Sequence, residues 1–311
     1  MYILSVLAPI FFIVGVGFAL RRGNFFDDLF FQGCARITYW VGLPCLLLVQ
    51  IAGSDFNMDI SWRIFVVMFA ATLILAVLAT MLAFALRLDP NRGKTFIHTS
   101  FHCNTAFVGL PVLMVALVQA VARQDLMDMA SMALAPTVPV VNILSILVLR
   151  GTEIKCDRGL AKMIFQKILM NPLVLACLGG MLLSFLRVSV PIPVERSLSA
   201  LGKMSIPLAL LSIGAGLQLR KMSDGVGAAV LASFLNVAVL PLVGYVLCRM
   251  WGFSTEHTLI ALIILACPTA SSAYIYARQI AGDTAFAASV IMISTLMSAI
   301  SLSVVLFFFG I

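Results

Sequence analysis

The sequence predicts an all-α polytopic membrane protein, with ten transmembrane helices in two inverted five-helix repeats. Three observations carry this. Apolar residues make up 62% of the 311-residue chain and charged ones only 11%, and the mean hydropathy is +1.11. No soluble fold of this length needs so much apolar surface. The apolar residues gather into ten runs near the roughly 20-residue length a bilayer demands. The two halves of the chain also share prolines and glycines at one spacing: Pro9 and Pro172, Gly17 and Gly180, and Pro44 and Pro207 each lie 163 positions apart.

The runs fall at about 2–20, 34–53, 61–86, 96–118, 127–149, 171–187, 197–219, 226–249, 257–280 and 284–309. The first is apolar from Met1, with its basic residues, Arg21 and Arg22, only after it. A secretory signal has the opposite order, so a retained helix is expected. The longest connection carries Glu153, Lys155, Asp157, Arg158, Lys162 and Lys167. It divides the chain into a first repeat at 1–150, a cytoplasmic linker at 151–170 and a second repeat at 171–311. Five spans is an odd number, so the second copy must be inverted.

Lys and Arg set the orientation. The odd-numbered connections hold Arg21, Arg22 and Arg36, then Arg87, Arg92 and Lys94, then the linker, then Arg220 and Lys221, then Arg278. The even-numbered ones hold fewer, including Arg63, Arg123 and Arg249. The odd connections are expected on the cytoplasmic side and both termini outside. This asymmetry accounts for the net charge of +7, and no aromatic-interleaved basic patch points to nucleic acid. The seven cysteines are scattered without a CxxC pair, so neither a disulfide frame nor a zinc motif is expected.

Span four has the wrong centre for a plain span: Asn104 and Thr105, then Gly109 and Pro111. Unpaired amide and hydroxyl groups are costly in hydrocarbon. Proline cannot donate its backbone hydrogen bond, and a break at bilayer depth survives only where protein or water meets the freed groups. The 163-residue spacing carries Asn104-Thr105 onto Cys267-Pro268, in a second span with a polar centre of Pro268, Thr269, Ser271 and Ser272. Inverted repeats with interrupted spans in matching places point to a secondary transporter. The second half of each broken span begins near the midplane, and opposed helix starts attract an anion without a fixed Lys or Arg.

The candidate substrate-binding residues are therefore Asn104, Thr105, Phe107, Gly109 and Pro111, with Asn142 in span five and Pro268, Thr269, Ser271 and Ser272 in span nine. Pro44 and Pro207 are read as structural support flanking the crossing. His98 and His102, four apart on one helical face, suit a proton relay or ordinary packing. A third ligand at metal-binding spacing is missing, so no metal and no cofactor is expected. Nor does any nucleophile–base pair or carboxylate pair at membrane depth suggest an enzyme.

Asn104-Thr105-Ala106-Phe107-Val108-Gly109-Leu110-Pro111 resembles the Asn-Thr-x-x-x-Gly-x-Pro signature of span four in the auxin efflux carrier family. Cys267-Pro268-Thr269 through Tyr274-Ile275-Tyr276-Ala277-Arg278 is similar to that family's Pro-containing span nine. The resemblance implies crossover helices four and nine in a fold like bile-acid/sodium symporters and NhaA-type antiporters. It implies carriage of a small organic anion, such as malonate, malate or an auxin-like acid, by an elevator-type motion. Asn104 matches the family's substrate-site asparagine. Plant members have Pro immediately before that Asn, whereas Cys103 stands here, which moves the expected break toward Gly109. The short central connection in place of a long hydrophilic loop fits a compact bacterial-type carrier in the inner membrane. A proton, a sodium ion or no coupling ion at all stays open, as does pairing into a homodimer. A sodium-coupled bile-acid-type symporter and a membrane sensor that binds without transporting are the competing readings.

Overall fold

The computed structural model describes residues 2–53, 58–119, 121–150, 170–188, 190–217, 225–279 and 282–309. The expected linker lies outside them apart from Met170, as do Arg220 and Lys221. The described residues are helical, with one isolated two-residue bridge and no strand.

In chain order, α1 is Tyr2–Arg22, α2 Asp28–Ile37, α3 Leu43–Ala52, α4 Met58–Ala85 and α5 Pro90–Phe101. Next come α6, Leu110–Leu113, and α7, Gln124–Arg150, followed by α8, Pro172–Phe185, and α9, Ile192–Gly216. The last five are α10, Val226–Phe234; α11, Leu240–Met250; α12, Thr255–Leu265; α13, Ser272–Gln279; and α14, Thr284–Phe309. Among the described residues, six helical stretches have the length and apolar character to cross a membrane: Asp28–Ala52, Asp59–Ala85, Gln124–Arg150, Ile192–Gly216, Val226–Met250 and Thr284–Phe309. Large apolar side chains point outward, among them Phe84 at 87% exposure, Phe185 at 81% and Ile300 at 71%. Such a surface is stable against lipid and a liability in water.

Local sequence explains the ends. Asp27, Asn171, Ser254 and Asp283 each accept a backbone N–H in the first turn of the following helix, at 2.8, 2.9, 3.3 and 2.9 Å, as N-caps do. Arg21 and Arg22 close α1, where positive charge suits the helix dipole.

Three wide, π-helical turns each precede a proline by two residues: Thr38–Gly42 before Pro44, Thr105–Gly109 before Pro111 and Leu235–Val239 before Pro241. A proline has no N–H for the carbonyl four residues back and its ring presses on that turn, so the helix widens there. The carbonyl left over by Pro241 is that of Val237, and Ser301 on α14 donates to it. Pro9, Pro136, Pro139 and Pro207 instead lie inside continuous helices.

The described residues group into two compact units. The first draws on Met1–Trp62, Ala106–Pro139 and Asp157–Leu217. The second draws on Arg63–Thr105, Val140–Cys156 and Gln218–Ile311. Each unit takes chain from both halves of the sequence, and the polypeptide passes from one to the other between Thr105 and Ala106, and again inside α7.

In the first unit, α1 lies along α9 and α3 lies along α8. Gly17 faces the backbone carbonyl of Leu211, and Gly214 faces that of Val14. Gly180 approaches Ile51 and the Leu48 carbonyl so closely that an added Cβ would lie 2.9 and 3.1 Å away. In lipid no hydrophobic force drives helices together. Close approach at small residues supplies the dispersion contact instead. Gln50 and Ser131, both buried, add a hydrogen bond of 2.9 Å.

In the second unit, α5 and α10 pack on α14, and α12 packs on α11 and α14. The start of α5 is tied to the start of α14. Arg92 meets Asp283 at 3.0 Å and lies 5.9 Å from the Phe286 ring centre. Thr95 Oγ1 accepts the Asp283 N–H at 3.0 Å.

Candidate functional site

The second unit contains a crossing of two interrupted spans. Helix α5 stops at His102, whose backbone (φ −84°, ψ 86°) leaves the helical region while its N–H still donates to His98 O at 3.1 Å. Helix α12 stops at Leu265, ahead of Cys267-Pro268. Pro268 has no N–H and pushes the residue before it out of helical geometry. The two freed segments run antiparallel. Asn104 N donates to Pro268 O at 2.7 Å, Ala270 N donates to His102 O at 2.8 Å, and Cys103 lies opposite Thr269. Each break thus supplies the partners that the other lacks, as buried backbone requires.

The break in span four falls at 102–104, ahead of the wide turn that leads to Gly109 and Pro111. The expected displacement toward Gly109 is not what the chain does. A proline before Asn104 is unnecessary because the pairing with 268–270 holds Cys103 extended.

Side chains lock the crossing. Thr269 Oγ1 donates to Thr99 O at 2.8 Å, and Thr269 N donates to Ser294 Oγ at 3.1 Å. Cys103 Sγ lies 3.5 Å from Leu265 O. Asn236, wholly buried in the wide turn of the Val226–Met250 span, donates through Nδ2 to Ser100 O at 3.4 Å and to Cys103 Sγ at 3.5 Å. Its Oδ1 has no partner among the described residues. Ser294 and Asn236 were not among the candidate residues. Asn236 carried a readable signal, an amide five residues before a proline inside an apolar run, the same kind of anomaly as Asn104.

Asn236→Leu keeps the volume and removes both donated bonds. It is expected to destabilise the protein by about 1–3 kcal/mol, the cost of stranding a buried acceptor. A lowered melting midpoint in detergent checks this, and an unchanged midpoint would mean that Asn236 does not hold the crossing.

The predicted residues divide between the units. Asn104 and Thr269 are buried at the crossing, at 6% and 1% exposure, with Pro268 between the paired segments. Thr105 is half-buried and donates its N–H to Cys103 O at 3.0 Å. Ser272 is half-buried as the first residue of α13, and Ser271 is exposed just before it. Asn142 is half-buried on the part of α7 that belongs to this unit, one turn before Ser145. Phe107, Gly109 and Pro111 belong to the first unit, as do Pro44 and Pro207.

His98 and His102 are buried in the second unit, Nε2 of the first 2.8 Å from Nδ1 of the second. Ser145 Oγ lies 3.3 Å from that Nδ1, and the Tyr276 ring is 5.8 and 5.9 Å from the two imidazoles. Among the described residues no group of three His, Cys, Asp or Glu side chains is placed to hold a metal ion.

The family model described as Membrane transport protein matches residues 2–306. The chain belongs to this family, that of the auxin efflux carriers. It is a multi-pass membrane protein of a transporter family, and the crossing lies inside the matched region. No curated protein matches the chain.

Proposed function

We propose that this family member is a secondary carrier of small organic anions, such as malonate, malate or an auxin-like acid. The observation that carries the reading is the antiparallel crossing of Cys103-Asn104 with Pro268-Thr269 inside one compact unit. Paired breaks at membrane depth cost helix hydrogen bonds and repay that cost when the freed groups handle a ligand. The crossing segments, 98–105 and 265–272, hold no Lys or Arg. A carboxylate there is held by N–H groups at the start of α13 and by the neutral donors of Asn104, Thr105, Ser271 and Ser272. Thr269, its hydroxyl hydrogen directed at Thr99 O, serves more to shape the site than to bind in it.

The same reading takes the chain as two inverted five-span repeats at 1–150 and 171–311. The repeat is supported in the first unit. Gly17 faces the Leu211 carbonyl and Gly180 faces the Leu48 carbonyl, and both members of one pair lie 163 residues from their counterparts in the other. The unit that carries the crossing shifts while the other stays, which exposes the bound anion alternately to the two sides. The outside termini follow from the basic residues, as in any positive-inside assignment, and the inner membrane from the resemblance to compact bacterial-type carriers.

Counterflow tests the reading. Purified protein in liposomes preloaded with unlabelled malonate, malate or indole-3-acetate is expected to take up the matching labelled acid faster than empty vesicles do. Saturable binding without exchange would replace the carrier by a ligand sensor. Flux that follows an imposed sodium gradient would favour the bile-acid-type symporter.

A further inference from the structure

We propose that His98 and His102, with Ser145 positioning the second ring, form a buried proton relay that couples proton binding to anion binding at the crossing. The inference rests on the carrier reading and names its coupling ion.

Two ring nitrogens 2.8 Å apart share one hydrogen, because two bare lone pairs or two N–H groups repel at that distance. Ser145 Oγ donates its own hydrogen to Val141 O at 2.7 Å. Towards His102 Nδ1, 3.3 Å away, it therefore accepts. These bonds assign the shared hydrogen to His102 Nδ1. His98 then accepts at Nε2 and carries its own hydrogen on Nδ1, an atom with no partner among the described residues. A proton that arrives at His102 Nε2 sends the shared hydrogen across to His98 Nε2, and the pair holds one positive charge until a proton leaves again by His102 Nε2 as the anion departs. Charge and atoms balance at each stage, and the reverse path uses the same atoms.

The relay is built into the crossing. His102 is the residue at which α5 ends, and its carbonyl accepts Ala270 N. Asn104 follows two residues later. A positive imidazole there attracts a carboxylate at Asn104, and by linkage the bound anion favours the protonated pair to the same degree.

The surroundings leave this charge unanswered by other ionised groups. Helices α10 and α14 and the turn Leu235–Val239, all packed on α5, contain no titratable side chain. Helix α13 brings Tyr276, whose ring flanks both imidazoles, together with Tyr274 and Arg278, which are exposed. From α7 the facing group is the Ser145 hydroxyl, with Arg150 at that helix's far end. On α5 itself Arg92 and Lys94 lie in the first turns, Arg92 paired with Asp283. Cys103 follows the pair and directs its thiol at Leu265 O.

The test uses the full chain in liposomes with labelled malonate and the membrane potential clamped at zero. One pH unit across the membrane then drives about tenfold accumulation per coupled proton, since tenfold and one pH unit are the same free energy. Wild type is expected to accumulate label toward the alkaline side by that factor. His98→Gln and His102→Gln are expected to lose the accumulation and still exchange labelled for unlabelled malonate, which also shows that they fold. Ser145→Ala, which removes one bond to the pair, is expected to shift the pH midpoint of uptake. Exchange in wild type without pH-driven accumulation overturns the relay and leaves the carrier standing. The same holds if both glutamine variants accumulate tenfold. Absence of exchange for malonate, malate and indole-3-acetate alike overturns the carrier reading, and the relay with it.

Discussion

Asn104→Ala is expected to cut carboxylate uptake at least about tenfold while the protein still inserts and purifies as a folded species. The main-chain bond from Asn104 N to Pro268 O does not depend on the side chain, so the crossing survives truncation. What goes is an amide that can donate to a carboxylate at bilayer depth. A hydrogen bond to a charged group contributes about 1.5–3 kcal/mol, and 1.4 kcal/mol is a factor of ten in affinity. Asn104→Asp is expected to be worse, because it sets a negative charge where the anion binds. Initial rates of labelled malonate or malate uptake, normalised to folded protein, measure both. Wild-type rates in the alanine variant would remove Asn104 from the site.

Gly214→Leu is expected to give the largest loss of stability. A Cβ at this position meets the Val14 carbonyl and the Phe18 backbone nitrogen. Neither can move as a flexible side-chain tip would, so α1 and α9 must separate along their shared face. Overpacking of this kind costs about 1–3 kcal/mol or more, and in lipid no hydrophobic gain offsets the lost contact. Gly15→Leu on the partner helix α1 is the control: it is exposed, and nothing lies within 4 Å of its added Cβ. Thermal unfolding in detergent is expected to show a clear drop for Gly214→Leu and little change for Gly15→Leu. Equal midpoints would show that the α1–α9 face tolerates separation.

Much of the candidate site is legible in the sequence because membrane depth makes polar groups conspicuous. Asn104 and Pro268 stand out in apolar runs, and the 163-residue spacing suggests the pairing that the backbone makes. The exact break was less legible. Cys103 has no local reason to leave a helix, and it does so because Pro268 and Ala270 pair with its neighbours across the chain. Thr269 reads as a candidate ligand in the sequence, and only the structure shows that its hydroxyl hydrogen is directed at Thr99 O. Asn236 shows the same polar anomaly in its sequence as Asn104, but the wide turn before Pro241 that seats it depends on the partner Ser301 and has no local signature.

The sequence alone determined that this is a helical membrane protein with polar interruptions in two of its apolar runs. Those properties follow from composition and from the absence of water to satisfy a broken backbone. The tertiary structure decided which backbone groups answer each other at the crossing. It also decided that the compact units interleave rather than follow the two halves, and that His98, His102 and Ser145 meet in one hydrogen-bonded chain. These depend on contacts between residues up to about 190 positions apart, and no local pattern encodes an approach over that distance.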